Sequence, residues 1–198
     1  MSVNLVKGQK ISLKKEDGTS LTNVMVGLGW DPVETKKGGF FKKGPSIDID
    51  CDASVFMLKG GRLESNRDVV YYGNLNHFTN SVSHTGDNLT GDGDGDDEVI
   101  NVDLSKIPAE YDRLVFVVNI YQAYARKQNF GMIKNAFIRI VDRNTNQEMM
   151  KYNLSEKYDG MTAMIFGEVY RHNGEWRFNA IGEGTKDGSI ADLTKRYK

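Results

Sequence analysis

Apolar positions in this chain recur mostly at every second residue rather than every third or fourth. Val24, Val26, Leu28 and Trp30 alternate against Asn23, Met25, Gly27 and Gly29, the period of a strand that buries one face. The same reading predicts strands over 47–58, 68–72, 99–104, 113–121, 136–142 and 148–154, separated by clusters of Gly, Asn, Asp and Pro. "MIFGEVYRH" (164–172) and "EWRFNAIGE" (175–183) bracket Asn173-Gly174, a hairpin signal because both residues tolerate positive φ. Only 122–134 and 188–198 read as short helices. Many short strands with turn signals between them predict a mainly all-β protein, an antiparallel β-sandwich with short helices. Neither an internal repeat nor a linker divides the chain, so residues 1–198 are expected to form a single domain.

Composition adds bounds to that picture. At 198 residues and 39% hydrophobic content, the chain can bury a substantial core. The start, MSVNLVKGQK, lacks the apolar stretch of a secretory signal, and no later run approaches the eighteen apolar residues of a membrane span. One cysteine gives no disulfide framework. The expectation is a cytoplasmic protein that does not itself span a membrane.

Charge changes the picture more. The formal net charge is only -1, yet no Lys or Arg occurs between Arg67 and Lys106, where Asp68, Asp87, Asp92, Asp94, Asp96, Asp97, Glu98 and Asp103 all fall. Like charges a few ångströms apart repel by roughly 1 kcal/mol per pair even in water, so a folded chain needs a counter-charge here. A second acidic stretch, "SIDIDCDASVFML", puts Asp48, Asp50 and Asp52 on one strand face and Ile47, Ile49, Cys51, Ala53 and Val55 on the other. Taken alone, the acidic face could be solvated and bridged to surplus lysines. Two such clusters in one chain point instead to a shared metal region. Carboxylates, amides and carbonyls are hard oxygen donors, which suit calcium or magnesium rather than zinc or copper. Calcium fits better, because Gly91, Gly93 and Gly95 let the loop curl carbonyls inward around a flexible shell. An EF-hand is excluded: Asp92-x-Asp94-x-Asp96 matches its first ligands, but Asp97 stands where its turn glycine belongs and Asp103 where its glutamate belongs.

An ordered set of motifs carries a further inference: "VGLGWDPV" (26–33), "DIDCDASVF" (48–56), "SVSHTGDNLTGDGDGDDEVINVDLSKIPAE" (81–110), "ARKQNFG" with "NAFIRIVD" (125–142), and "MIFGEVYRHNGEWRF" (164–178). With them the chain resembles the TerD family of tellurium-resistance and stress-response proteins over essentially its whole length. That resemblance implies a calcium-binding β-sandwich that belongs to a bacterial tellurite, phage and colicin resistance system, with other resistance proteins, a membrane component among them, as partners. It supplies no reaction. Carried over position by position, the metal-site motif falls on Asp48, Asp50, Asp52, Asn74, Thr85, Gly86, Asp87, Asn88, Gly93, Asp94, Asp96, Asp97 and Glu98. Not all of these can be ligands at once. Asp31, before Pro32, reads as a turn residue.

Other reactive side chains read as structural. Cys51 falls on the apolar strand face and is expected to be a buried, inert thiol. His84 is expected to hydrogen-bond beside an all-oxygen donor set, and His77 and His172 have no Cys or His partner at ligand spacing. Neither a Ser/His/Asp order, a Walker loop nor a dinucleotide fingerprint is present. A calcium-binding protein that acts through calcium-linked protein contacts is the leading reading. The alternative is a divalent-metal-dependent hydrolase, a phosphoesterase using the acidic cluster. Nucleic acid is not expected as a partner, since there is no basic stripe.

Overall fold

Short alternating segments cannot bury their apolar faces alone, and here they do so by stacking two sheets. The computed structural model describes residues 2–32, 49–86, 95–154 and 156–198. Along them run β1 (Val3–Leu5), β2 (Lys10–Ser12), β3 (Asn23–Pro32), β4 (Cys51–Leu58), β5 (Val69–Val70), β6 (Val82–His84), β7 (Glu98–Asp103), β8 (Arg113–Ile120), β9 (Ile133–Asp142), β10 (Gln147–Asn153), β11 (Ala163–His172) and β12 (Glu175–Thr185). Two short helices, α1 (Ala123–Arg126) and α2 (Ile190–Lys195), complete the set with two single 3-10 turns. One sheet has the order β1-β10-β9-β3-β7-β6 and the other β2-β12-β11-β8-β4-β5. Every pairing is antiparallel except β1 with β10. The expected sandwich is therefore the observed architecture.

The main core lies between the sheets, with Val24, Val26, Leu28 and Trp30 of β3 facing Cys51, Ala53, Val55 and Met57 of β4. Asn173 and Gly174 take φ of 50° and 79°, the doubly left-handed geometry of the tightest hairpins. Three differences from the sequence reading have local causes. The segment expected at 68–72 is a strand only at Val69–Val70, because Tyr71 and Asn74 exchange backbone hydrogen bonds and reverse the chain. Within 122–134 the helix stops at Arg126, where Lys127 adopts φ of 54°, and β9 begins at Ile133. The three-residue strands β1, β2 and β6 were not expected, since three residues are too few to show a period.

The second sheet is also covered on its outer face. Phe56 and Leu58 of β4, Val115 and Val117 of β8 and Ile165 of β11 form a further buried cluster beneath Leu193 of α2. Tyr197 stands edge-on to Phe56 at 5.8 Å between ring centroids. All eight residues of β4 are buried as a result. An acidic face open to solvent on this strand is thus ruled out for Asp52, which is buried.

Between β5 and β6 a buried polar network holds the turn. Asp68 Oδ1 accepts from the Tyr111 hydroxyl at 2.7 Å and lies 3.3 Å from His77 Nε2. A carboxylate only accepts, so Nε2 carries the ring proton and Nδ1 accepts from Thr79 Oγ1 at 2.6 Å. Burial lowers the His77 pKa from its ordinary value; Asp68 opposes that shift, while Arg67 and Lys59 add to it. The unfolded chain therefore takes up this proton more readily than the folded one. Stability from this site should be intact above about pH 6.5 and decline as the pH falls towards the lowered folded value. Urea midpoints measured between pH 7 and pH 5 should fall more steeply for the wild type than for His77→Gln; equal slopes would locate the pH sensitivity elsewhere.

Candidate functional site

The acidic segments meet where β7 of the first sheet runs against β4 of the second. Glu98 opens β7 opposite Leu28, and its side chain turns inward and is 1% exposed. Its Oε2 accepts from the Ala53 backbone N–H of β4 at 2.5 Å. β5 pairs only with Val55 and Phe56, so β4 projects beyond it and Glu98 takes up a backbone donor there. His84 Nε2 lies 3.3 Å from the same oxygen. His84 Nδ1 accepts from the Gly86 N–H at 3.0 Å, which leaves Nε2 as the protonated nitrogen facing Glu98. The structural hydrogen-bonding role expected of His84 is the observed one.

Asp97 fastens the segment to β3. Its N–H donates to the Leu28 carbonyl at 2.8 Å, and its Oδ2 accepts from the Trp30 N–H at 2.7 Å. Asp96 finds its counter-charge far along the chain, in Arg139 of β9. Nε and Nη2 of Arg139 donate to the two Asp96 carboxylate oxygens at 2.7 and 2.9 Å, a paired geometry that only guanidinium offers. The hydrogen bonds to Asp96 raise the Arg139 pKa further. The glycines of "VGLGW" make this contact possible. A Cβ on Gly27 would stand 2.3 Å from the Asp96 carboxylate, and one on Gly29 would stand 2.7 Å from the Gly95 carbonyl oxygen.

Asp50 and Asp52 arrive from the other sheet. Arg126 Nη1 approaches Asp50 Oδ2 at 3.4 Å, and Asn119 Nδ2 donates to Asp52 Oδ2 at 3.4 Å. Cys51 lies between them in the chain. Burial pushes its thiol well above the ordinary range, and the charges of Asp52, Glu98, Asp50 and Asp97 push it further in the same direction. Cys51 is 1% exposed, as an inert thiol should be. Of the remaining candidates, Asn74 donates to the Val69 carbonyl at 2.7 Å within its turn. Thr85 Oγ1 donates to the Val99 carbonyl at 3.2 Å, and Gly86 adopts φ of 111°. Asp48, Asp87, Asn88, Gly93 and Asp94 lie outside the described residues. Among the described residues, no three His, Cys, Asp or Glu side chains stand together as a metal-holding group. Asp50, Asp52, Asp97 and Glu98 all lie near Cys51 without forming such a group; all four are carboxylates, the donor chemistry that suits a hard cation such as calcium.

A two-sheet β-sandwich with buried carboxylates where β7 runs against β4 is the class of protein that this geometry defines. The TerD domain model matches residues 1–197, and the chain belongs to that family. It is 53% identical to "Stress response protein SCP2" of Bacillus subtilis over 200 residues, covering 100% of both chains. It is 45% identical to "Tellurium resistance protein TerD" of Serratia marcescens, covering 100% of this chain and 97% of the relative. A crystal structure of a homologue of telluride resistance protein (TerD) from Streptomyces coelicolor superposes with a TM-score of 0.66 at 18% identity, over 90% of this chain and 99% of that one. At that identity it shares the fold.

Arg139 and Asn119 were not singled out in the sequence. The available signal was a lone basic residue in "AFIRIVD" and a lone amide in "LVFVVNIY", polar residues that interrupt otherwise apolar strands. If Gly27 is small to admit Asp96, then Gly27→Ala and Arg139→Ala should each cost about 1–3 kcal/mol. In urea unfolding the double variant should lose clearly less than the sum, because both disrupt one contact; additivity would separate them. A thiol reagent should label Cys51 only at the rate of unfolding, and rapid labelling of the native protein would contradict its burial.

Proposed function

We propose that this protein is a calcium-binding member of a bacterial stress- and tellurite-resistance system that works through calcium-linked contact with other proteins rather than by bond chemistry. The observation that supports the reading is the burial of Asp97 and Glu98 where β7 runs against β4, each held to a backbone N–H through one carboxylate oxygen, with Asp50 and Asp52 flanking Cys51 at the start of β4. Asp52, Asp97 and Glu98 are all buried, and buried ionised carboxylates are favoured by a cation beside them. The stress and tellurium roles come from the relatives' names. No helix among the described residues is long and apolar enough to cross a membrane.

Asp50, Asp52, Asp97 and Glu98, with the acidic and amide residues between 87 and 94, are the proposed holders of the ion. Bound there, calcium supplies positive charge and a many-oxygen shell. The chain's own part is positional. Asp97 and Glu98 are fixed to Trp30 and Ala53 through one carboxylate oxygen each, so whatever draws on these side chains acts on both sheets. Arg139 holds Asp96 apart from that group.

Calorimetric titration of the metal-stripped protein should show calcium bound in preference to magnesium, and thermal midpoints should rise with calcium. Free calcium at about 100 times its dissociation constant adds roughly 2.7 kcal/mol. Asp97→Asn should remove much of that rise and Asp96→Asn little, since Asp96 is committed to Arg139. Equal affinity for the two ions would sink the assignment, and magnesium-dependent turnover of phosphoesters would favour the hydrolase alternative. Pull-downs from bacterial extract with calcium and with chelator should recover different partners; an identical set would keep the site but refute the linkage.

A further inference from the structure

On the outer face of the second sheet, a cleft of about 590 Å³ opens between β8, the turn after β5 and α2, a volume suited to a small molecule. Asp52 and Asn119, opposite one another on β4 and β8, form its floor. Asn119 is 4% exposed. Its Nδ2 donates to Asp52 Oδ2, which fixes the amide's orientation, since the flipped amide would set oxygen against oxygen. Asn119 Oδ1 is thereby left buried with no hydrogen-bond partner among the described residues. A buried carbonyl in that condition is costly, and it needs a donor from whatever enters the cleft.

The walls and rim narrow the choice. Tyr71, Tyr72 and Tyr121 line the cleft, and the Tyr121 ring is 38% exposed. Flat rings of this kind stack on flat ligands. Lys195 and Lys198 stand at the rim formed by the chain's last turn, with Lys195 also paired to Asp192 at 2.7 Å. The segment entering α2 is held in place by Thr162, whose hydroxyl donates to the Asp187 carbonyl at 2.8 Å, and by the Tyr124 hydroxyl on the Lys186 carbonyl. A preformed wall lowers the cost of binding.

A matching ligand has N–H donors at one end, a planar unsaturated body and negative charge at the other. A quaternary amine fails on two counts, having no N–H and meeting two ammonium groups at the rim. We propose that this cleft binds a nucleotide. The N–H edge of its base faces Asn119 Oδ1, its ring lies against Tyr121, and its phosphate points towards Lys195 and Lys198. This role is separate from the calcium reading, although Asp52 borders both sites.

Calorimetry and saturation-transfer NMR on the full chain, in calcium and in chelator, test it with adenosine, guanosine, cytidine and uridine 5′-monophosphates and with ribose 5-phosphate. At least one of the four nucleotides, each of which carries a ring or amino N–H, should bind about tenfold or more tightly than ribose 5-phosphate. Asn119→Leu should weaken that binding about tenfold, the effect of one lost hydrogen bond. Tyr121→Ala should weaken it about fivefold or more, and its exposed ring makes this variant the safe one if Asn119→Leu does not fold. No binding at millimolar nucleotide in either buffer would overturn the proposal, as would ribose 5-phosphate binding equally well or both variants binding like wild type. A protein that binds nucleotide but no calcium would refute the metal reading alone.

Discussion

A carboxylate buried between two sheets needs donors from both, and Glu98 is the group on which this sandwich turns. It belongs to β7 of one sheet, yet it accepts the Ala53 amide of β4 in the other and faces His84 of β6. Removing Glu98 would leave the Ala53 amide buried without its acceptor, which costs more than the bond itself contributes. The same residue therefore sets the spacing of the sheets and the place where the acidic segments meet. Asp97 repeats the arrangement one residue earlier by taking the Trp30 amide.

The excess acid is handled by geometry rather than by averaging over the surface. Asp96 is matched by a guanidinium held on a neighbouring strand, over a glycine that leaves it room. Asp97 and Glu98 are matched by backbone N–H groups, and Asp50 is approached by Arg126. Adjacent acids in the sequence thus have different roles in the fold. The proposed ion belongs with Asp97 and Glu98 rather than with Asp96, which Arg139 holds.

Covering the outer face of the second sheet has a separate consequence. Once α2 and Tyr197 lie over Phe56 and Leu58, the end of that face nearer Asp52 becomes the floor of a cleft instead of open surface. Apolar burial by the last turn of the chain and a polar floor exposed to a bounded volume are two results of one packing arrangement.

Alternation along the chain was enough to place the long strands, the Asn173-Gly174 hairpin, the apolar face of β4 with Cys51 buried in it, and the sandwich itself. Those features follow from period and turn chemistry, which are local. The motif order was likewise enough for the family. Phe56 and Leu58 continue the face on which Asp52 lies, and with Ile190, Leu193 and Tyr197 they held a readable sign of a second buried layer, but which helix covers which face is a matter of packing. Sequence could not pair Asp96 with Arg139, 43 positions away, nor separate it from Asp97, because a strand period says which face a residue takes and not what lies opposite. Nor could it show that Asn119 would lose one amide oxygen to burial. Those outcomes depend on distances between strands far apart in the chain, and such distances exist only once the two sheets have closed on each other.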